Sequence, residues 1–308
     1  MPQRISALAP ARTFGVAALT VASLAILSAC GGGGGSSGNA GGTPTATVTA
    51  IVPNATKYGS AATITINGTG LDSTLAVTSS VCTGMTLQAG STATSATYLC
   101  TVSGGLTGSV IAKSNGTQVG MATLTVPAPI VRFAINNGLG AVGNIDITLA
   151  PDKAPKTVDN FLHYVNTGWY ANTIFHRLVA NFVAQGGGYS APATNLSTAT
   201  LKTGLATPIT YENSGLTHVY GSIAMAATST GQETSQYFFN TNTASGGNSG
   251  LNGKYTVFGS ISAGTAVLTS ILAAPADCTT TVVDSAGNTE TDCLPNPNVV
   301  VTTATQTQ

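Results

Sequence analysis

The 308-residue chain holds ten basic and ten acidic residues, and only 6% of its positions are charged. That excludes a basic surface able to hold nucleic acid or an anionic membrane by charge. A 43% apolar share, with strand-like alternation through most of the length, excludes disorder driven by charge repulsion, and the length fits two domains.

Arg4 and Arg12 precede an apolar run from Phe14 to Leu27 that ends in "LSAC", residues 27–30. A basic start, a short apolar core and small residues at its end predict a secretory signal, and the run is too short to span a bilayer comfortably. "LSAC" resembles a bacterial lipoprotein box. The resemblance implies that residues 1–29 are removed and that Cys30 carries the acyl chains that hold the protein to a membrane. Gly31, where an Asp would signal retention at the inner membrane, implies the outer membrane, facing the periplasm. Residues 30–43, with "GGGGGSSGNAGG", read as the lipidated cysteine and a flexible tether.

Residues 44–127 consist of short alternating runs bounded by Gly, Ser, Asn or Pro: "TATVTAIV", "ATITINGTGL", "TLAVTSS", "ATYLCTV", "GSVIAKSNG" and "MATLTVP". Six or seven such strands predict a small β-sandwich. "NGTGL" resembles a motif of immunoglobulin-like bacterial surface modules. "PAPI", residues 127–130, reads as a stiff linker.

The pattern changes at Ile130. "IVRFAIN" and "NIDITLA" are two strands joined by "NGLGAVG". A helix follows, with Val158, Phe161, Leu162 and Val165 on one face, Pro155 near its start and Gly168 at its close. Strands are predicted at "TIFHRLV", "FVAQGG", "SIAMAA", "QYFFNT" and "TVFGSI", a second helix over 264–273 with Val267, Leu268, Ile271 and Leu272 on one face, and a closing strand at "NVVVTTATQ". Many antiparallel strands with two helices predict a closed or nearly closed barrel over residues 130–306. Apart from Cys30, the cysteines are Cys82, Cys100, Cys278 and Cys293, an even number that suits an oxidising compartment. Three pairings are open, and the division into domains favours Cys82–Cys100 with Cys278–Cys293. With no C-x-x-C and three histidines in all, the spacing does not point to zinc or another metal.

"GLGAVG", residues 138–143, matches G-x-G-x-x-G, yet a strand follows it where a dinucleotide site needs a helix. It reads as a hairpin loop. No G-x-S-x-G is present, and His163, His176 and His218 do not assemble a nucleophile's triad. His163 falls off the apolar face of the first helix and reads as a surface residue. The few scattered acids offer no carboxylate pair for glycoside chemistry.

"FHRLVANFVAQGGG", residues 175–188, poses the sharper question. An arginine is almost never buried without partners, and its five donors need acceptors. Arg177 and Gln185 among phenylalanines suit either a structural arginine or a pocket for an apolar ring attached to a peptide bond. Here the chain resembles a cyclophilin-type peptidyl-prolyl cis-trans isomerase of the bacterial periplasmic branch. The resemblance rests on five ordered blocks: "KAPKTVDNF" (153–161), "FHRLVANFVAQGG" (175–187), "GSIAMA" (221–226), "SQYFFN" (235–240) and "LNGKYTVFG" (251–259).

The resemblance implies an eight-stranded antiparallel barrel capped by two helices. It implies Arg177 as the catalytic residue, and Phe182, Val183, Phe238 and Leu251 as walls of a proline pocket. Gln185, Ala226 and Gln236 match positions that contact the substrate backbone or hold the arginine, and Tyr255 completes the substrate-binding set. His176 lies in a matched block with a structural role. Neither a metal nor another cofactor is implied. The expected partners are proline-containing unfolded or exported polypeptides in the cell envelope, not nucleic acid. The alternative is a non-catalytic proline-peptide-binding or chaperone-like module. The chain departs from the family pattern at Ala180-Asn181 for Pro-Gly, Val183 for Met, Ala227 for Asn, Gly250 for an aromatic residue and Tyr255 for His. A shallower pocket is expected.

Overall fold

The computed structural model describes residues 45–195, 199–228, 230–283 and 289–308. The expected signal segment, Cys30 and the tether to residue 43 lie outside them. Among the described residues no helix is long and apolar enough to cross a membrane.

The N-terminal part contains β1 (Thr47–Asn54), β2 (Ala61–Thr69), β3 (Leu75–Ser79), β4 (Cys82–Leu87), β5 (Ser95–Val102), β6 (Thr107–Ser114) and β7 (Thr117–Thr125). One sheet runs β1-β2-β5-β4 and the other β3-β6-β7. Side chains alternate across a strand, so Ala62, Ile64 and Ile66 of β2 all face inward. They share a buried cluster with Val77, Val110 and Ala112 of the other sheet. The Tyr98 hydroxyl donates to the Leu75 carbonyl at 3.1 Å, and the Cys82–Cys100 disulfide ties β4 to β5. Strand β4 is the one the alternation of "CTGMTL" does not announce.

The "PAPI" stretch does not hold this part away from the next. The Tyr58 hydroxyl accepts from Gly104 N at 3.0 Å and donates to Asp159 Oδ1 at 2.7 Å. Leu106 N donates to Asp152 Oδ1 at 2.7 Å, and Lys57 Nζ donates to the Gln306 carbonyl at 2.8 Å. Hydrogen bonds thus join the two parts beside the linker.

The second part contains β8 (Ile130–Asn136), β9 (Gly143–Leu149), α1 (Pro155–Asn166), β10 (Thr173–Val179), β11 (Val183–Ser190), β12 (Thr200–Leu201), β13 (Ile209–Thr210), β14 (Ser222–Ala227), β15 (Gln232–Asn240), β16 (Val257–Ala263), α2 (Thr265–Leu272), β17 (Ala276–Val283), β18 (Thr289–Pro295) and β19 (Val300–Gln306). The order β11-β15-β14-β16-β9-β8-β19-β10 returns to β11 through the β10–β11 pair, which closes an eight-stranded antiparallel barrel. Its interior is a cluster of rings: Phe133 lies 5.3 Å from Tyr237, and Phe161 of α1 lies 4.9 Å from Phe258.

Helix α1 buries Val158, Phe161, Leu162 and Val165 against this core. Its N-cap, Ala154, supplies no side chain, and the distant Glu212 carboxylate fills the role by accepting from Thr157 N at 2.6 Å and Thr157 Oγ1 at 2.7 Å. An anion there satisfies orphan amides and opposes the helix dipole. Helix α2 buries Leu268 and Ile271. The "GLGAVG" segment does form a β8–β9 hairpin loop: Asn137 Oδ1 accepts from the amides of Leu139, Gly140 and Ala141, which leaves none of the three to cradle a phosphate. The β17–β18 hairpin, closed by the Cys278–Cys293 disulfide, was not expected from the sequence.

Candidate active site

The period-two alternation of the barrel strands sorts side chains onto two faces, and one outward face is apolar. On β15, Tyr237 and Phe239 enter the ring-filled interior, while Phe238 between them joins a separate cluster. Likewise Met225 on β14 and Phe258 on β16 point inward, while Ala224 and Val257 point to the second cluster. That cluster has Val183, Ala224, Phe238 and Val257 buried at its base, with Phe182, Leu216, Ala226, Leu251 and Tyr255 half-buried around it. The structure thus gathers Phe182, Val183, Ala226, Phe238, Leu251 and Tyr255, six positions named from the sequence, into one hollow.

Arg177 reaches this face through an irregularity in β10. Phe175 pairs with Gly186 and Arg177 with Gln185, so two residues on β10 advance against one on β11. This bulge shifts the phase of the alternation. Phe175 stays in the interior, and Arg177, which regular pairing would point the same way, sits beside Gln185 instead. Its guanidinium carbon lies 5.9 Å from the Phe182 ring centroid, in reach of the ring's negative face. Gln185 Nε2 donates to Gln236 Oε1 at 2.9 Å, which joins the two amide side chains. His176, the residue inside the bulge, is buried and packs edge-on against Tyr189 at 4.7 Å. Burial, with the Arg177 charge adding to it, pushes its imidazole down to about 4. It is neutral at neutral pH, in keeping with the structural role expected.

The rim is held from below. Asn248 Nδ2 donates to the Phe182 carbonyl at 2.7 Å, and Thr241 N donates to the same oxygen at 2.9 Å. His218 was expected only as a member of the polar "SGLTH" loop. It is fully buried and lies flat against Phe238, with ring centroids 5.7 Å apart and planes 10° apart. Its Nε2 lies 3.3 Å from the Tyr255 carbonyl, and Tyr255 meets Phe238 edge-on at 5.6 Å. Burial lowers its pKa as well. His163 is exposed on α1, as expected.

Sequence reasoning missed four members of this site. Ala224 was legible because it stands two residues from the named Ala226 on β14, and Val257 because it stands two residues after the named Tyr255, at the start of β16. Leu216 and His218 come from the irregular segment before β14, which carries no periodicity. Gly250 is exposed, and a side chain added there would meet nothing within 4 Å. Space is therefore open at Gly250, next to Leu251 of the hollow.

The arrangement offers a cation with several donors at the lip of a ring-lined hollow, plus an amide pair able to bond a peptide backbone. A closed eight-stranded antiparallel barrel carrying such a hollow on its outer face is the cyclophilin class of fold. Residues 130–303, more than half of the chain, match the family model described as "Cyclophilin type peptidyl-prolyl cis-trans isomerase/CLD". The chain belongs to that family.

Among its relatives, peptidyl-prolyl cis-trans isomerase A of Dickeya dadantii is 41% identical over 102 residues, covering 32% of this chain and 50% of that protein. A peptidyl-prolyl cis-trans isomerase of Acinetobacter baylyi is 39% identical over 141 residues, covering 44% and 69%. Peptidyl-prolyl cis-trans isomerase B of Escherichia coli is 42% identical over 100 residues, covering 32% and 57%. The chain thus spans between half and about two thirds of the length of these relatives. Residues 45–124 match a second model, "Quinohemoprotein amine dehydrogenase, alpha subunit domain III", a likeness confined to the N-terminal sheets.

Proposed function

We propose that the protein is a peptidyl-prolyl cis-trans isomerase acting on X-Pro bonds of exported polypeptides in the periplasm. The observation that carries this reading is the bulge in β10, which brings Arg177 out beside the Phe182–Phe238 hollow. The X-Pro barrier arises from amide resonance, which makes unaided isomerisation slow. In the twisted transition state the prolyl nitrogen loses conjugation and gains a lone pair. A guanidinium donor aimed at that lone pair stabilises the twisted state more than the planar one, and this difference accelerates the reaction. The hollow holds the proline ring, Arg177 supplies the donor, and Gln185 with Gln236 bonds the adjoining backbone. None of the three histidines needs to move a proton in this scheme.

The two disulfides support an oxidising compartment. The lipoprotein-like "LSAC" supports anchoring through Cys30 at the outer membrane, with no other membrane contact. We read the two N-terminal sheets as an immunoglobulin-like module that presents the barrel to its clients. The open space at Gly250 and the presence of Ala227 favour a second reading, a receptor for proline peptides that does not turn them over.

A proline-limited refolding assay separates the two readings. The wild type is expected to speed the slow phase, and Arg177→Ala to lose at least tenfold of that acceleration, about 1.4 kcal/mol of transition-state stabilisation. A wild type that accelerates refolding no more than Arg177→Ala supports the receptor.

A further inference from the structure

Behind the lip of the proline hollow lies a second cavity, of about 490 Å³. It backs onto the same turn: Asn181 lines the cavity, while the next residue, Phe182, belongs to the hollow. Thr241 lies on the cavity wall, and its backbone amide donates to the Phe182 carbonyl at 2.9 Å. A single layer of backbone therefore separates the two.

Its apolar walls include Leu178 of β10, Leu272 at the end of α2 and the Cys278–Cys293 disulfide, and Tyr220, Thr243 and Thr269 add polar groups. Among the described residues, no charged side chain lines the cavity. Thr241 is 2% exposed, which leaves the cavity floor dry on that side. The occupant that matches is an uncharged, mainly apolar side chain.

We propose that this cavity is a specificity subsite that takes an apolar side chain of the polypeptide substrate, within a few residues of the proline. The inference rests on the proline-pocket reading. It deepens that reading by assigning a substrate class, proline segments flanked by residues such as Leu or Phe. The disulfide-braced β17–β18 hairpin, which pairs with β10 at Leu178↔Cys293, is then the wall that sets the preference.

The test is fluorescence anisotropy on pairs of labelled peptides with a central X-Pro, carrying Leu or Gly in turn at each flanking position. At one position at least, Leu tightens binding to the wild-type protein by about tenfold. Thr269, exposed on α2 at the cavity rim, makes its side-chain hydrogen bond within the helix, to the Thr265 carbonyl at 3.2 Å. Thr269→Arg brings the Leu/Gly ratio close to one. Equal affinities at every position, or a ratio that survives Thr269→Arg, overturns the subsite. So does equal binding of a Leu-containing peptide that lacks proline, since the two cavities would then not act on one segment. Catalysis on the Gly-flanked peptide by Arg177→Ala reads the proline pocket separately, so the two ideas can fail independently.

Discussion

Replacing Glu233 with Gln is expected to flatten the protein's loss of stability as the pH rises through neutrality. Glu233 lies on β15 opposite Ala227 and is fully buried. Thr256 Oγ1 donates to its Oε1 at 2.9 Å, while Oε2 has no hydrogen-bond partner among the described residues. Burial raises its pKa from 4.5 to about 7; the Thr256 hydrogen bonds oppose this shift and the nearby Glu212 charge adds to it. The folded state therefore holds this proton more tightly than the unfolded chain does. The stability that goes with the protonated form is fully present below about pH 4.5 and is lost as the pH rises through about 7. A shift of that size corresponds to about 3 kcal/mol. Gln keeps the shape and cannot ionise. In urea unfolding between pH 5 and 8.5, Glu233→Gln should gain about 2 kcal/mol on the wild type across that span. His176 and His218, lowered by burial, tilt stability the other way in both proteins, losing it as the pH falls, so their effect cancels in the comparison. Parallel stability curves for the two proteins would refute the assignment.

Tyr58→Phe removes the hydroxyl that bonds both Gly104 N and Asp159 Oδ1, and should cost about 1–2 kcal/mol in denaturant unfolding. An unchanged midpoint would mean that water replaces it at no cost. Gly250→Trp meets no atom within 4 Å of the new Cβ and stands next to Leu251 of the hollow. A ring that covers roughly 40 Å² more of a bound proline segment is worth about 1 kcal/mol, so KM should fall about fivefold. An unchanged KM would show that this wall does not face the substrate.

The sequence carried the barrel well because its strands repeat one physical pattern. "TIFHRLV" and "SIAMAA" coincide with β10 and β14 to the residue, and the face of α1 named from spacing is the one buried. Strands β4, β17 and β18 were missed for want of a one-sided apolar alternation. "CTGMTL" keeps only Cys82 buried and breaks at Gly84, whose φ is +67°. At the site, positions on paired strands were legible because register fixes their neighbours. His218 and Leu216 were not, since a loop without period gives no clue to which face it covers. Alternation alone also misplaces Arg177, because it sends Phe175 and Arg177 to the same side. The bulge that separates them is visible only once β11 is laid alongside.

The place of β19 between β8 and β10 governs when this molecule can become itself. Both neighbours keep an unpaired edge until residues 300–306 arrive, although β8 begins the barrel and β10 carries Arg177. Pairings so distant in sequence form slowly, and open edges invite association with other chains. The N-terminal sheets, with the Cys82–Cys100 crosslink, can be complete long before then. A protein delivered from its N-terminus thus passes through a stage with one finished part and one open sheet. Its own assembly is exposed for that interval to the misfolding that a folding catalyst would relieve in others.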